Sequence, residues 1–518
     1  MKNLPLSVST LATIRQEDMA YVDKTETAWH LVKQVGHYFL SRPRRFGKSL
    51  FVDTLKEIFE GNQELFKGLY IQDKWDWHRT YPVIVIDFAS AVLQNRTDLD
   101  QRIHKILKNN AVRLQVPHSV DGTPAGVLED LILSCFKKYG RRVVVLIDEY
   151  DKPILDNIAD EQTAVAMREG LKNIYSVLKG QNAHLQFVFM TGVSKFSKVS
   201  LFSGLNQLVD ITLDTRYAAI CGYTRNDLEE TFGEHLGDVD REKIQQWYNG
   251  YKWLGDEAVY NPFDILLLIS NGFQFRNYWF ETGNPAFLIK LFRKNRYFLP
   301  QLEGVEVTES ILDSFDIENI DPVTLLFQSG YLTIEKTFTR RDRMMFRLRV
   351  PNQEVKIALG DVFIDGYTGR HASEKIPIQD DLYTCLETGD IDGMAAVIHR
   401  LFAAVPWRNF TKNSLADSEG YYASVLFAFF SSLNAEIIPE DITNHGQADM
   451  TVKLGSHIFI MEIKVVDAKN SDDLPENIAL KQIREKGYAQ KYTGLPGVTV
   501  HEVGLIFSRS LRNLVSWK

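Results

Sequence analysis

Residues Phe39 to Leu50 read Phe-Leu-Ser-Arg-Pro-Arg-Arg-Phe-Gly-Lys-Ser-Leu, and no other stretch of the chain narrows the choice of fold as much. An apolar run, His37–Ser41, stops at a basic turn ending in Gly-Lys-Ser, and a helical pattern over 48–60 begins there. Such a turn leaves free backbone N–H groups at a helix start, where an anion is favoured. The alternation continues to residue 215. Apolar runs at Pro82–Phe88, Arg142–Asp148 and Gln186–Thr191 read as buried strands, and segments near 99–115, 124–138 and 161–179 as helices. Strands alternating with helices predict a parallel α/β sheet.

Gly47-Lys48-Ser49 is the tail of a Walker A motif. In that reading the loop residues Arg45, Phe46 and Gly47 line the phosphates of ATP. Lys48 reaches the β- and γ-phosphates, and the Ser49 hydroxyl binds Mg²⁺. The full pattern places a glycine five residues before Gly47, where this chain has Arg42. Alone, the tripeptide also fits a basic turn on a helix start. A second motif follows. The apolar run Arg142–Leu146 leads into Ile147-Asp148-Glu149-Tyr150-Asp151. An apolar strand ending in Asp-Glu suits a Walker B site, with Asp148 holding Mg²⁺ through water and Glu149 orienting or deprotonating the attacking water. Acidic residues also end strands for solvation alone. Thr191, closing the run Phe187–Met190, is a candidate sensor of the γ-phosphate from a neighbouring strand, although such residues commonly form turns. Arg42, Arg44 and Arg45 either clamp phosphate oxygens, face a partner or form a solvated turn.

A separate constellation lies near the C-terminus. Asp449 and the Glu462-x-Lys464 pair fall on adjacent predicted strands, Ala448–Lys453 and Ile458–Val465. Period-two alternation puts Glu462 and Lys464 on one face. Asp449 and Glu462 offer hard oxygen ligands to Mg²⁺ or Mn²⁺, and Lys464 an ammonium to position water or stabilise charge on a scissile phosphate. The carbonyl of Ile463 is a further ligand candidate. Glu419, at the start of a predicted helix near 418–433, is another candidate metal ligand. In a helix near 477–491, Gln482 and Lys486 share a face, with Tyr488 beyond. An exposed strand of alternating charges would read the same way.

The 518 residues carry a formal charge of −8, so any contact with nucleic acid must use a local basic face. Apolar residues make up 45% and charged residues 24%, which excludes a largely disordered or collagen-like chain. Three scattered cysteines give neither a disulfide framework nor a cysteine zinc site. No apolar run approaches 18 residues and the N-terminus opens no signal-like segment. The expectation is a cytoplasmic protein without membrane contact. Three parts are expected: an α/β core over 1–218, a mainly helical middle over 219–400 with one strand pair near Gly330–Glu335 and Met345–Val350, and a compact αββαβ unit over 401–518.

Together the motifs resemble a bacterial family joining an AAA-ATPase-like N-terminal domain to a C-terminal PD-(D/E)XK nuclease-superfamily domain. The resemblance rests on Tyr21–Thr25, the Ser41–Ser49 loop, Asp148–Pro153, Thr191–Lys195, Ser203–Asn206, Trp247–Tyr251, Tyr260–Pro262 and the Asp449/Glu462/Lys464 set. It implies a P-loop NTPase sheet, a helical middle region and a restriction-endonuclease-like αβ domain. It also makes the arginine at position 42 a family trait. The implied activity is ATP binding with hydrolysis, at Lys48, Ser49, Asp148 and Glu149, joined to a metal-dependent nuclease centred on Asp449, Glu462 and Lys464. DNA is the favoured nucleic acid, and self-association is left open. The alternative is a nucleotide-dependent switch or scaffold whose C-terminal domain binds nucleic acid or protein without cutting. Trp247 and Tyr251 are expected to pack in a core rather than stack on bases.

Overall fold

The structure is a computed structural model that describes residues 1–90, 92–117, 122–195, 207–279, 302, 304–313, 320–368, 372–405, 418–433, 435–468 and 476–518. The 203–206 motif lies outside the described residues. The chain forms two compact units. The first contains Met1–Trp279 and Glu306–Asn352, and the second Phe280–Val305 and Gln353–Lys518. The middle of the sequence is therefore shared between them.

The first unit is built on a five-stranded parallel sheet: β1 (Gly36–Ser41), β2 (Val83–Asp87), β3 (Val143–Asp148), β4 (Leu185–Gly192) and β5 (Val209–Asp210), in the order β2-β3-β4-β1-β5. All six residues of β3 are buried, as expected for a strand covered on both faces. Helices α1 (Lys48–Glu60), α2 (Arg96–Arg113), α3 (Pro124–Tyr139) and α4 (Glu161–Gly180) fall where the periodicity places them. Their starts are set by side chains. Asn95 accepts from Asp98 N, Thr123 from Gly126 N ahead of Pro124, and Asp160 from Thr163 N. The Asn95 cap explains why α2 begins at 96, earlier than its apolar pattern. β4 lies between β1 and β3, so the loops after all three leave the same edge of the sheet, at the carboxyl ends of the strands where ligands bind in such folds.

The rest of this unit is helical apart from a three-stranded antiparallel sheet, β6 (Glu306–Thr308), β7 (Thr333–Arg340) and β8 (Arg343–Arg349), ordered β6-β8-β7. The expected strand pair is β7 and β8, whose hairpin turn places Arg341 and Asp342 at φ 51° and 57°. Helix α5 (Pro322–Ser329) precedes β7 and starts at Asp321, whose carboxylate accepts from Val323 N and Thr324 N.

The second unit carries a mixed five-stranded sheet of β9 (Glu436–Thr443), β10 (Gly446–Leu454), β11 (His457–Val466), β12 (Thr499–Ser508) and β13 (Asn513–Trp517), ordered β13-β12-β11-β10-β9. Only β11 and β12 pair in parallel. Helix α6 (Glu419–Ser432) is buried from Tyr421 to Ser431, and α7 (Ile478–Lys486) joins β11 to β12. Both unpredicted strands are edges. β9 contains Pro439 and three acidic residues, a composition that reads as loop and that only an edge strand tolerates. Among the described residues no helix is long and apolar enough to cross a membrane.

Candidate nucleotide and metal sites

The loop after β1 is shaped by two left-handed residues, Arg45 at φ 69° and Gly47 at φ 89°. Gly47 caps α1 and turns the chain so that the helix start faces the loop. Lys48 is buried and folds back over the loop, its Nζ donating to the carbonyls of Arg42 at 3.0 Å and Pro43 at 2.8 Å. Burial lowers its pKa, and the charge of Asp148 is the strongest of the groups opposing that. The Ser49 hydroxyl is close enough to the Asp148 carboxylate to favour its charged form, so the two residues expected to share Mg²⁺ are neighbours.

Asp148 is buried and its pKa rises to about 6. Burial is the main cause, Ser49 and Lys48 oppose it, and the charges of Asp87 and Glu149 add to it. Asp87 is its register neighbour on β2. Glu149 sits at φ 49°, a sparsely populated conformation for this side chain, with its N–H donating to Asp148 Oδ1 at 2.9 Å. A hydroxyl and a buried carboxylate as neighbours, beside an ammonium at a helix start, fit Mg²⁺ and phosphate.

Three loop residues behave differently from their sequence-based expectations. Arg42 is fully buried instead of facing phosphate, a partner or solvent. Its Nη1 donates to Ser41 O and Thr212 O and its Nη2 to Tyr217 O, which ties the loop to the segment after β5. Burial pulls its pKa down to about 10. Phe46 turns inward, 1% exposed, meeting Tyr251 and Trp253 edge-on at 4.8 and 5.6 Å. Those rings are core, as expected for the 247–251 motif, and Phe46 anchors the loop on them. Arg45 is exposed and stacks over Phe263 at 4.5 Å. Thr191 is fully buried and its hydroxyl donates to Leu40 O at 2.9 Å, a contact between strands that occupies the proposed sensor group.

Asp151 is the participant that sequence reasoning left without a role. Its buried carboxylate accepts from Val193 N at 3.0 Å and Ser194 N at 2.5 Å, and burial raises its pKa to about 6. Gly192 makes this possible: a Cβ there would stand 2.3 Å from Asp151 Oδ1. An acidic residue three positions after a Walker B aspartate was the available signal. Tyr21–Thr25 is a strap. Asp23 accepts from Thr25 N and Tyr70 N, each at 2.8 Å, and Lys24 pairs with Asp227 at 2.6 Å.

In the second unit, β10, β11 and α7 bring Asp449, Glu462, Lys464 and Gln482 together. Asp449 Oδ2 accepts from Ile463 N at 2.7 Å. Burial raises its pKa, and the charges of Glu419 and Glu440 add to that. Glu462 is 1% exposed. Its Oε1 accepts from Lys464 Nζ at 2.8 Å and from Gln482 Nε2 at 2.5 Å, while its Oε2 is buried with no hydrogen-bond partner among the described residues. Burial, then repulsion from Asp449, raises the Glu462 pKa to about 7. Lys464 is lowered by burial, but the bond to Glu462 and the surrounding carboxylates lift it overall. Tyr488 OH lies 3.4 Å from Gln482 Nε2, and Lys486 is exposed.

An orphaned carboxylate oxygen beside a second carboxylate, both resisting ionisation, is what a divalent cation would relieve. Glu419 is near enough for its charge to add to the raised pKa of Asp449. It accepts from Val465 N at 3.4 Å and lies 3.8 Å from Lys464 Nζ, so its carboxylate serves the lysine. Among the described residues no group of three or more His, Cys, Asp or Glu side chains is drawn together as a metal cluster.

A family model described as "Predicted AAA-ATPase" matches residues 5–202, and one described as "PD-(D/E)XK nuclease superfamily" matches residues 417–517. The chain is also similar to a protein of Azotobacter chroococcum mcd 1 named "Uncharacterized protein in vnfD 5'region". The two are 45% identical over 517 residues, covering 100% of this chain and 98% of that protein. A parallel sheet with its phosphate loop after the first strand, and a mixed sheet carrying an Asp, Glu-x-Lys cluster, thus stand where those two matches fall: the chain belongs to the family that joins an AAA-ATPase-like domain to a C-terminal PD-(D/E)XK nuclease-superfamily domain.

Proposed function

We propose that the protein binds and hydrolyses ATP in its first unit and cleaves DNA phosphodiester bonds with a divalent metal in its second. The observation that carries the cleavage half is the buried, unpartnered Oε2 of Glu462 beside Asp449 and Lys464. Asp449 and Glu462 would hold Mg²⁺ or Mn²⁺, which when bound supplies Lewis-acid stabilisation of charge on the scissile phosphate. Lys464 presents its ammonium at that phosphate or orients the attacking water. Gln482 fixes Glu462 through Oε1, so that Oε2 remains free. On α7, Lys481 and Arg484 are each paired with a carboxylate, Glu476 and Glu502, at 3.1 Å, which leaves the exposed Lys486, on the same face as Gln482, as the cation to meet a nucleic-acid phosphate. In the first unit, Ser49 and Asp148 would hold Mg²⁺, Lys48 the phosphates, and Glu149 the attacking water.

The test combines two assays on the full chain. ATPase activity is measured with and without DNA in wild type and Lys48→Ala. Cleavage of duplex and single-stranded DNA is measured with Mg²⁺ or Mn²⁺ in wild type, Asp449→Ala and Lys464→Ala. Turnover lost in Lys48→Ala, and metal-dependent products lost in both C-terminal variants, support the proposal. Products that persist in Asp449→Ala refute the cleavage half.

A second reading is a nucleotide-dependent switch that binds nucleic acid without cutting. The observation favouring it is Lys464, held between Glu462 and Glu419. Metal-independent DNA retention, ATP-dependent assembly and absence of product would select it.

A further inference from the structure

The loop after β4 is held from two directions. Asp151 grips the amides of Val193 and Ser194 from the β3 side. The next amide, Lys195 N, donates to Gln328 Oε1 on α5 at 3.0 Å, and Gln328 Nε2 donates to Leu312 O at 3.1 Å. Gln328 is 4% exposed, so both ends of its amide are committed in a dry interior. The Ser194 hydroxyl between these two grips is buried without a partner among the described residues.

Other contacts join the same two regions. Gly330, at φ 93°, lies against Pro43 of the phosphate loop so closely that a Cβ would stand 2.9 Å from that ring. Lys252 N donates to Thr333 Oγ1 at 2.6 Å, and that hydroxyl donates to Lys252 O at 3.0 Å. Gly250, at φ 108°, allows the Pro351 carbonyl to approach to where a Cβ would be 2.0 Å away. Its neighbour Tyr251 packs on Phe46. A small cavity lined by Ser41, Arg42, Pro43, Lys195, Phe327 and Gln328 lies where these contacts converge. After Asn352 the chain passes into the second unit.

We propose that the segment 306–352 reads the nucleotide state, with Gln328 as the positioning residue that carries the setting of the Val193–Lys195 loop into α5. This rests on the ATP-binding reading above. Under that reading a terminal phosphate beside Lys48, which ADP lacks, would act on the end of β4 through the loops that bond it: Arg42 N donates to Gly192 O and Tyr150 N to Thr191 O, each at 3.2 Å. A close-packed interior does not absorb the resulting displacement: moving Lys195 N either breaks its bond or moves α5.

The experiment uses the full chain with Mg²⁺ and either a slowly hydrolysed ATP analogue or ADP. Nucleotide affinity is read with a fluorescent analogue, and amide hydrogen exchange is followed over 306–352. In wild type, exchange over 322–334 is expected to be about threefold slower with the ATP analogue than with ADP. Gln328→Leu is expected to bind the analogue within about threefold of wild type and to lose the difference. Gln328→Glu, which keeps the acceptor for Lys195 N, retains part of it. Wild type that binds both nucleotides with identical exchange overturns the proposal, as does Gln328→Leu with the full difference. If Gln328→Leu does not fold, the wild-type comparison and Gln328→Glu decide. Absence of nucleotide binding is visible separately in the affinity measurement, and removes the ATP reading together with this proposal.

Discussion

The guanidinium of Arg42 lies 3.9 Å from the centre of the Trp253 ring, while its nitrogens serve three backbone carbonyls. A buried cation is held here by dipoles and a ring face, and it occupies the position where a standard phosphate loop has glycine. Arg42→Ala leaves those carbonyls unpaired and should lower stability by about 3 kcal/mol in urea unfolding. Arg42→Gly restores the usual pattern in name only, and should be as unstable without binding nucleotide more tightly.

Lys48 Nζ donates to the loop carbonyls of Arg42 and Pro43. Lys48→Ala should weaken ATP binding on the order of 100-fold by removing a charge-assisted contact to phosphate. Its cost in stability should be roughly 1 kcal/mol, because two partly satisfied carbonyls lose a donor. Fluorescent-nucleotide titration and thermal unfolding separate the two effects.

The raised pKa of Glu462 makes a prediction about pH. Its carboxyl ionises near 4.5 when unfolded and near 7 in the folded protein. Between these values the native state holds a proton that the unfolded state has released, so this group's contribution makes stability fall as pH rises from about 4.5 to 7. Glu462→Gln removes that penalty. It should be more stable than wild type at pH 8, by up to roughly 2 kcal/mol, with a correspondingly higher unfolding temperature, and show no advantage at pH 4. Mn²⁺ at pH 8 should raise the wild-type midpoint and leave the variant unmoved. Equal pH slopes in the two proteins would count against the assignment.

Gln482 donates to the same oxygen of Glu462 that Lys464 uses. Gln482→Leu frees the carboxylate to turn. Metal affinity at the second unit should then drop about 10-fold or more, as for other groups that orient a ligand. Calorimetric Mn²⁺ titration checks this whether or not the protein cuts DNA.

Much of this architecture is written in local pattern. β1 to β4 and α1 to α4 follow from apolar periodicity, whereas the short helices Leu11–Gln16, Thr25–Val32 and Lys152–Leu155 and the two-residue β5 do not, and Asp449, Glu462, Lys464 and Gln482 lie on the adjacent strands and the helix that alternation and helical spacing give them. What escaped depends on distant neighbours. β9 hides behind Pro439 because edge strands relax the usual composition. Arg42 reads as a phosphate clamp, a partner contact or part of a solvated turn because its ring and two of its three carbonyl partners lie roughly 170 to 210 residues further on in the chain. Thr191 reads as a turn former or a sensor because sequence does not reveal that its hydroxyl donates to Leu40 O. Nor does periodicity disclose that residues 306–352 pack with the first unit, which only long-range contact decides.

Gly192 and Asp151 constrain each other historically as well as sterically. Since any side chain at 192 would occupy the space of the carboxylate at 151, a descendant that gains bulk at one position must already have shed the acid at the other. Across diverging copies of this chain the two sites should therefore drift as a couple. A lineage in which both have changed would be one where the end of β4 is pinned by some other pair.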